Sequence, residues 1–543
     1  MGRAMRSRWT LLGLIALITA VNVGVGIALD DLTWLINTQV IVFAPLLIVI
    51  LLMILYSFRL WRNLPLYKFV GLVMILCGEQ YVIHSFQTAV DHPGTLGWLH
   101  FIALMGAFCS LSLHFFNQSN PRYQTEHMDL PDELPHVVAI IPTYNEGVEI
   151  LERTLRTLMH MDYPRDEFSI VLSDDGHRDA VRELAERYGV HYNLGAQQDA
   201  KAGNLNSALR YIESSIPEAQ FVLTQDADEL IKPEFLRILM PYFTDSRIGF
   251  VQTPKESIVP HGDPFGSRDR VFYDRIQVGR NGDNAAFSCG SGVVWRLAAI
   301  HSIGGFSTWN IVEDLTTSYN LHAAGWHSAY HNEIMTVGLS PEDIPTLIKQ
   351  RGTWATDSWR LFLFDNPVFK PGLSVGQRLH YTETGISYLT NATFSLMMMY
   401  LPLFSTFFSD FLPIDSMLVL SWMLLHSCMF LMLAQGNFNY FYRMRQFWDG
   451  MAVLSLKAFW IAAHSRHQKP SYVVTRKSRL DGFYGQLILP QIIFTGLACF
   501  CIMVNGVNLY LNQGFTGARV SNMVILLYFV VMHLGIISAP FTV

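Results

Sequence analysis

The chain has 543 residues, too many for one hydrophobic core, so more than one domain is expected. Hydrophobic residues make up 51% and charged residues 15%, with a mean hydropathy of +0.26; an ordinary soluble domain is about 25% charged, which argues against a purely soluble enzyme. The net charge of −6 gives no support to nucleic-acid binding, and the six cysteines have neither zinc-ligand nor C-x-x-C spacing, so no cysteine metal cluster or disulfide framework is expected.

Taken in order, the chain opens with apolar runs at 10–29, 40–58, 67–86 and 96–116, each about the length of a membrane span. The loops between them alternate in charge. Asp30 and Asp31 follow the first run, Arg59, Arg62 and Lys68 separate the second and third, and Asp91 precedes the fourth. The positive-inside rule places the N-terminus and everything after Phe116 in the cytoplasm.

A polar linker at 117–135 leads to strands at 137–141, 168–172 and 221–224, with helices at 148–159, 178–188 and about 203–214 between and after them. Strands alternating with helices predict an α/β domain with a mostly parallel sheet. Each strand ends in polar residues: Thr143, Tyr144 and Glu146 after the first, Asp174 and Asp175 after the second, Asp226 and Asp228 after the third. Carboxylates at i and i+2 of extended chain point the same way and can share a hard cation; a plain polar turn is the alternative. Lys201-Ala202-Gly203 opens a helix and is either a simple helix start or a phosphate contact. Gln252-Thr253-Pro254 ends an apolar stretch, and Cys289, Gly290 and Ser291 form a small polar patch between apolar neighbours. Glu313 and Asp314 stand at a helix start, where a carboxylate is either a cap or a base. Gln350, Arg351 and Trp354 lie on a polar helical stretch just before the apolar runs resume.

Asp174/Asp175, Asp226-Ala227-Asp228, Glu313-Asp314 and Gln350…Trp354, in this order in one domain, resemble the processive family 2 glycosyltransferases of the cellulose, curdlan and hyaluronan synthase type. The resemblance covers nearly the whole chain, and the segments at Lys201, Gln252 and 287–291 are most similar to the bacterial cellulose synthase catalytic subunit. It implies a GT-A-like domain between two helical membrane blocks. Thr143, Tyr144, Glu146, Asp174 and Asp175 would contact the uridine, and Lys201 the diphosphate. Asp226 and Asp228 would hold magnesium or manganese, and Asp314, beside Glu313, would be the general base. Residues 287–291, with Cys289, Gly290 and Ser291, would line the acceptor pocket, Gln252 would bind substrate, and Gln350, Arg351 and Trp354 would hold the acceptor end and the leaving group. The family pattern Gln-x-x-Arg-Trp is broken by Thr353; Arg351 and Arg360 are the nearby cations that could replace the missing charge.

Further apolar runs at 385–408, 418–434, 487–507 and 523–538 complete eight expected spans. The acidic stretch 409–415 should lie outside, and the basic, tryptophan-bearing segment 440–482 should lie at the inner membrane surface. Few residues follow 538, so no cyclic-di-GMP-binding barrel is expected. The expected organisation is therefore a transmembrane block at 1–117, a cytoplasmic glycosyltransferase domain at 118–375 and a second block at 376–543, in the inner membrane. The function read from the resemblance is inverting, processive transfer of glucose from UDP-glucose to a growing β-glucan, with secretion of the polymer. Its partners would be the sugar nucleotide, the polysaccharide, the bilayer and periplasmic accessory subunits. The rival readings are a chitin- or hyaluronan-type synthase using UDP-N-acetylglucosamine, a non-processive membrane glycosyltransferase, and an inactive scaffold or transporter.

Overall fold

A computed structural model describes residues 63–92, 94–408, 416–467, 469–470, 484–511 and 517–542. The expected spans at 10–29 and 40–58 and the loop at 409–415 lie outside the described residues. The catalytic region starts with β1 (His136–Thr143), whose side chains are buried along its whole length. Val137, Ala139 and Ile141 enter one core layer while Val138 and Ile140 enter the other. A strand covered on both faces has no polar face to show, which is why it reads as an unbroken apolar run.

Strands β2 (Phe168–Asp174), β3 (His191–Leu194) and β4 (Ala219–Thr224) follow, each parallel to its neighbour. Helix Val148–Met159 covers one face through Leu151, Leu155 and Leu158, and helix Ala200–Ser215 covers the other through Leu205, Ala208, Leu209 and Ile212. These sets recur at the spacing of one helical face.

Beyond β5 (Leu230–Ile231) come β6 (Ile248–Gln252), β7 (Lys255–Ile258), β8 (Val293–Arg296), β9 (His327–Tyr330) and β10 (Thr336–Leu339). The main sheet has the order β3-β2-β1-β4-β8-β6-β9, and a small second sheet has the order β5-β10-β7. The sheet is mostly parallel as expected, but β8 runs antiparallel to both β4 and β6. That reversal was not foreseen. It brings the 289–292 segment back against the end of β4, where Gly292 N donates to Thr224 O at 3.0 Å.

Among the described residues four helices are long and apolar enough to cross a membrane: Leu64–Asp91, Thr95–Gln118, Gly485–Leu511 and Arg519–Ser538. The stretch expected as a span at 385–408 lies in a continuous run of helix Val375–Thr390, a π-helical turn at Asn391–Ser395 and helix Leu396–Phe407. Just before that stretch, Glu383 accepts from Asn117 Nδ2 at 3.3 Å and Arg280 Nη2 at 3.2 Å. Buried polar partners thus hold this helix against the catalytic region. The run expected at 418–434 lies in helix Ser416–Leu433, 18 residues long.

The expected interfacial segment supplies helices Phe438–Gly450 and Ala452–Ala463. The second packs on helix Ile344–Phe364, where Ala458 and Ala462 meet Ala355 and Trp359 and the Trp359 and Phe459 rings lie 4.8 Å apart. Ala458, Phe459 and Ala462 make this contact, while Leu456, Trp460 and Ile461 stay exposed.

Candidate active site

The polar ends of β1, β2 and β4 open into one cavity of about 1640 Å³. It is lined by Thr143, Tyr144, Glu146, Asp175, Lys201, Asp226, Asp228, Cys289, Gly290, Glu313, Asp314, Gln350, Arg351 and Trp354. Residues from seven separate parts of the chain are thus brought together. Asp174, Gln252 and Ser291, also expected in contact with substrate, do not line it. They brace residues that do.

At the β1 end, Glu146 Oε2 accepts from Thr143 Oγ1 at 2.7 Å, Tyr144 N at 2.8 Å and Asn145 N at 3.2 Å. The carboxylate closes the turn and leaves the Tyr144 ring half exposed at the cavity wall. Asp174 is fully buried and takes Arg178 Nη2 at 2.9 Å and Arg178 N at 2.6 Å; Arg178 Nη2 also donates to Thr143 Oγ1 at 2.7 Å. Asp174 therefore fixes the β1 turn through Arg178. Asp175 Oδ1 accepts from Gln197 N at 2.9 Å, and burial raises its pKa above the ordinary carboxylate value.

Lys201 stands between the two carboxylate groups of the centre. Its Nζ lies 2.6 Å from Asp226 Oδ1, 2.8 Å from Gly290 O and 3.3 Å from Glu313 Oε1. Burial opposes its charge, but Asp226 and Glu313 outweigh that and hold its pKa above the ordinary lysine value. Gly203 lies two residues on; a Cβ on it would fall 1.8 Å from Gln198 O, so the glycine admits the preceding loop.

Ser291 Oγ accepts from Asp226 N at 2.8 Å and donates to Glu229 Oε2 at 2.7 Å, and Glu229 is paired with Lys255. Gln252 Nε2 donates to Ser291 O at 3.0 Å and Gly292 O at 3.2 Å, while its Oε1 accepts from Cys289 N at 2.7 Å. Both residues hold the 289–292 segment in place. Gly290 has φ +81°, and a Cβ on it would meet Asp314 Oδ2 at 3.1 Å and Lys201 Nζ at 3.2 Å. Only glycine fits there without strain.

Glu313 and Asp314 start helix Glu313–Ala323. Burial, reinforced by the neighbouring Glu313 charge, pushes the Asp314 carboxyl up to about 8, with Lys201 opposing. A carboxyl poised near neutrality suits proton transfer better than an ordinary one.

Along helix Ile344–Phe364, Gln350, Thr353 and Trp354 line the cavity, with the Trp354 side chain 37% exposed. The two candidate replacements for the missing arginine are committed elsewhere. Arg351 makes a two-pronged pair with Asp269, at 3.1 and 2.7 Å, and stacks between Trp354 and Phe447. Arg360 is fully buried, donates to Trp309 O at 2.9 Å and Asn310 Oδ1 at 3.1 Å, and is not among the cavity residues. Thr353 Oγ1 donates to Lys349 O within its own helix.

The sequence reading passed over three residues here. Glu229 directly follows the Asp226-Ala227-Asp228 motif and links it to Lys255. Lys255 itself lines the cavity. Asp357 sits one helical turn beyond Trp354; it is buried, it lines the cavity, and its Oδ2 accepts from Val312 N at 2.6 Å, two residues before Asp314. Its Oδ1 has no hydrogen-bond partner, and burial pushes its carboxyl up to about 7. The i+3 spacing from Trp354 was the available signal.

The same cavity reaches His114 of helix Thr95–Gln118 and Phe430 and Leu433 of helix Ser416–Leu433. The strand-end carboxylates and the apolar helices therefore border one space.

Residues 135–356 match the family model described as "Glycosyltransferase like family 2", and residues 303–460 match the one described as "Cellulose synthase". Over 310 residues the chain is 34% identical to Cellulose synthase 1 catalytic subunit (UDP-forming) of Komagataeibacter xylinus, covering 54% of this chain and 40% of that one. It is also 34% identical over 265 residues to the cellulose synthase catalytic subunit (UDP-forming) of Pseudomonas fluorescens, covering 47% and 35%. The chain thus spans less than half the length of these curated relatives. Among solved structures it is similar to the mannosyltransferase PcManGT from Pyrobaculum calidifontis, in complex with GDP-Man and Mn2+, with a TM-score of 0.50 and 21% identity over 68% of this chain and 98% of that one. At that identity the likeness carries the fold, a GT-A-like mixed sheet.

Proposed function

Starting from a chain that carries a family 2 glycosyltransferase domain and is related to bacterial cellulose synthase catalytic subunits, we propose a processive, inverting membrane synthase of a β-glucan. Its donor is UDP-glucose, and the growing chain passes outward between the membrane helices. The observation that carries this reading is the single cavity bordered at one end by Asp226 and Asp228 and at the other by His114 and Phe430. A site continuous with the membrane helices gives a growing chain a path away from the carboxylates.

Asp226 and Asp228 fit a divalent cation. Both line the cavity as hard oxygen donors, and the Lys201 ammonium at 2.6 Å already marks the Asp226 carboxylate as a cation position. Once bound there, such an ion would supply positive charge to the departing diphosphate. The related fold solved with Mn2+ supports a divalent metal of this kind. Lys201 adds positive charge on the same side, and Thr143, Tyr144 and Asp175 bind the nucleoside.

Asp314 takes the proton of the attacking sugar hydroxyl, which is a poor nucleophile without a base. A single base and direct displacement invert the anomeric centre, so no covalent nucleophile is needed. Trp354 offers an apolar face to the acceptor ring, while Gln252 and Ser291 act as positioning residues through the 289–292 segment. The orientation in the inner membrane, the cytoplasmic catalytic domain, the boundaries near 117 and 375 and the accessory subunits are part of the same proposal.

The test is incubation of the purified protein in detergent with a panel of UDP-sugars, followed by digestion of the product with linkage-specific glucanases. The expected result is a glucanase-sensitive polymer from UDP-glucose alone. Incorporation of N-acetylglucosamine, or transfer of one sugar without polymer, would replace this reading.

A further inference from the structure

A second cluster of metal-ligating side chains lies away from the cavity. His127, in the linker between helix Thr95–Gln118 and β1, meets His331 and Glu333, which follow β9. The three ligand atoms lie within 4.8 Å of one another. His127 Nε2 is 2.9 Å from Glu333 Oε2, and His331 Nε2 is 3.5 Å from the same oxygen.

An independent observation points to a ligand. His331 is fully buried, yet its Nε2 has no hydrogen-bond partner. Its other ring nitrogen, Nδ1, is held 2.9 Å from the Tyr242 hydroxyl. A hydroxyl accepting from Nδ1–H would leave the Nε2 lone pair facing a carboxylate oxygen. A cation between them satisfies both the lone pair and the carboxylate. Fixing one imidazole nitrogen while the other faces an ion is the usual second contact of a metal-bound histidine.

We propose that His127, His331 and Glu333 bind a divalent transition-metal ion of the zinc type, as a structural site separate from Asp226 and Asp228. Two imidazoles and one carboxylate suit zinc, whereas the all-oxygen pair in the cavity suits magnesium or manganese. Ligands about 2 Å from a common ion need the three atoms closer than they now stand, and rotation of the exposed His127 supplies that movement.

The position gives the ion a task. The linker already touches this edge of the domain, with Asn332 N donating to Gln124 O at 2.7 Å. His331 N donates to Gln252 O at 3.0 Å, and Gln252 holds the segment that carries Gly290. A bound ion pins the linker from the membrane helices to the strand edge next to that brace.

The experiment uses the full chain in detergent, stripped with chelator and dialysed against Zn2+ in excess Mg2+, with retained zinc measured per chain. Parallel loading with Co2+ gives an absorption spectrum that reports nitrogen ligation. The wild type is expected to retain a single equivalent of zinc and to show the cobalt band, and Zn2+ is expected to raise its melting temperature. His127→Ala and Glu333→Gln, both outside the buried core, are expected to lose all three signals while keeping basal polymer synthesis. Tyr242→Phe should weaken zinc affinity by about 10–100-fold. No zinc retained by a folded wild type would overturn the proposal, as would equal retention in His127→Ala and Glu333→Gln.

Discussion

At the donor end of the cavity the charges come in opposite pairs: Lys201 with Asp226 and Glu313, and Lys255 with Glu229. Towards helix Ile344–Phe364, the proposed acceptor end, two cations are tied by neighbours, Arg351 by Asp269 and Arg360 by backbone and Asn310, and Trp354, Thr353 and the half-satisfied carboxyl of Asp357 line the space beside Arg351. In the function proposed above, the first end receives a diphosphate and a cation, and the second an uncharged sugar ring. Asp314 and Gly290 stand at the seam, where Gly290 lies close to both Lys201 and Asp314. In this reading the reacting hydroxyl comes from the weakly charged side and the leaving group departs into the strongly charged one.

The comparison breaks most sharply at the seam. Asp226→Asn removes a cation ligand, and the loss of several kcal/mol of transition-state charge stabilisation should cost about a thousandfold or more in kcat. Asp314→Asn keeps the shape and removes the base, for a loss of at least about a hundredfold. UDP-sugar binding should survive in the second variant and weaken in the first, as isothermal titration would read. A folded Asp314→Asn that no longer binds nucleotide would make Asp314 a helix cap and not a base.

The pH profile sharpens the same point. A general base works only when ionised, and burial holds the Asp314 carboxyl at about 8 in the free protein. The value of kcat/KM should therefore rise by about tenfold per pH unit on the acid side and level off near that pKa. A profile flat from pH 6 to 9 in roughly constant ionic strength would exclude Asp314 as the base.

On the acceptor side, Trp354→Ala should reduce polymer length and acceptor use by about tenfold while leaving donor binding within about twofold, because an aromatic platform holds only the acceptor ring. Equal losses in both would mean that the indole serves mainly to stack on Arg351. Asp357 gives a stability test. Burial raises its folded pKa from 3.8 to about 7, against Arg360 and Lys469, which lower it. Between those values the folded protein holds a proton that the unfolded chain has released, so stability falls as pH rises through that window. Asp357→Asn should flatten this part of the curve of melting temperature against pH; an unchanged slope would place the effect on other groups.

Thr353→Arg should have the smallest effect. Arg351 is paired with Asp269 and does not supply the missing charge, so a new arginine at 353 adds one charge-assisted contact, worth about tenfold in donor KM at most. A hundredfold gain in kcat would show that the threonine, and not the withdrawn cations, sets the character of this end.

The elements that the sequence by itself determined are those whose evidence is local. β1, β2 and β4 are buried on both faces and so read as apolar runs, and the helices between them carry one apolar stripe each. The polar clusters at strand ends were equally legible, since a strand that stops at the top of a sheet leaves its next residues at the cavity. Four of the expected membrane spans coincide with long apolar helices, whereas the run at 385–408 falls across a π-helical turn at Asn391–Ser395, and Glu383 and His380 just before it are bound by Arg280, Asn117 and Asp283 from far along the chain.

Tertiary structure alone decided which motif residues face the cavity and which hold others in place. Asp174 and Asp175 are adjacent in sequence, yet one is sealed against Arg178 and the other lines the space. Arg351 and Arg360 were indistinguishable from free cations until Asp269 and Asn310 were brought beside them. The reversal of β8, which sets Ser291 against Asp226, and the meeting of His127 with His331 and Glu333 depend on contacts between residues far apart in the chain. Periodicity reports how a segment meets water and neighbours within a turn or two. It carries no record of which distant charge will arrive to neutralise a given side chain, and in this site that arrival decides each residue's role.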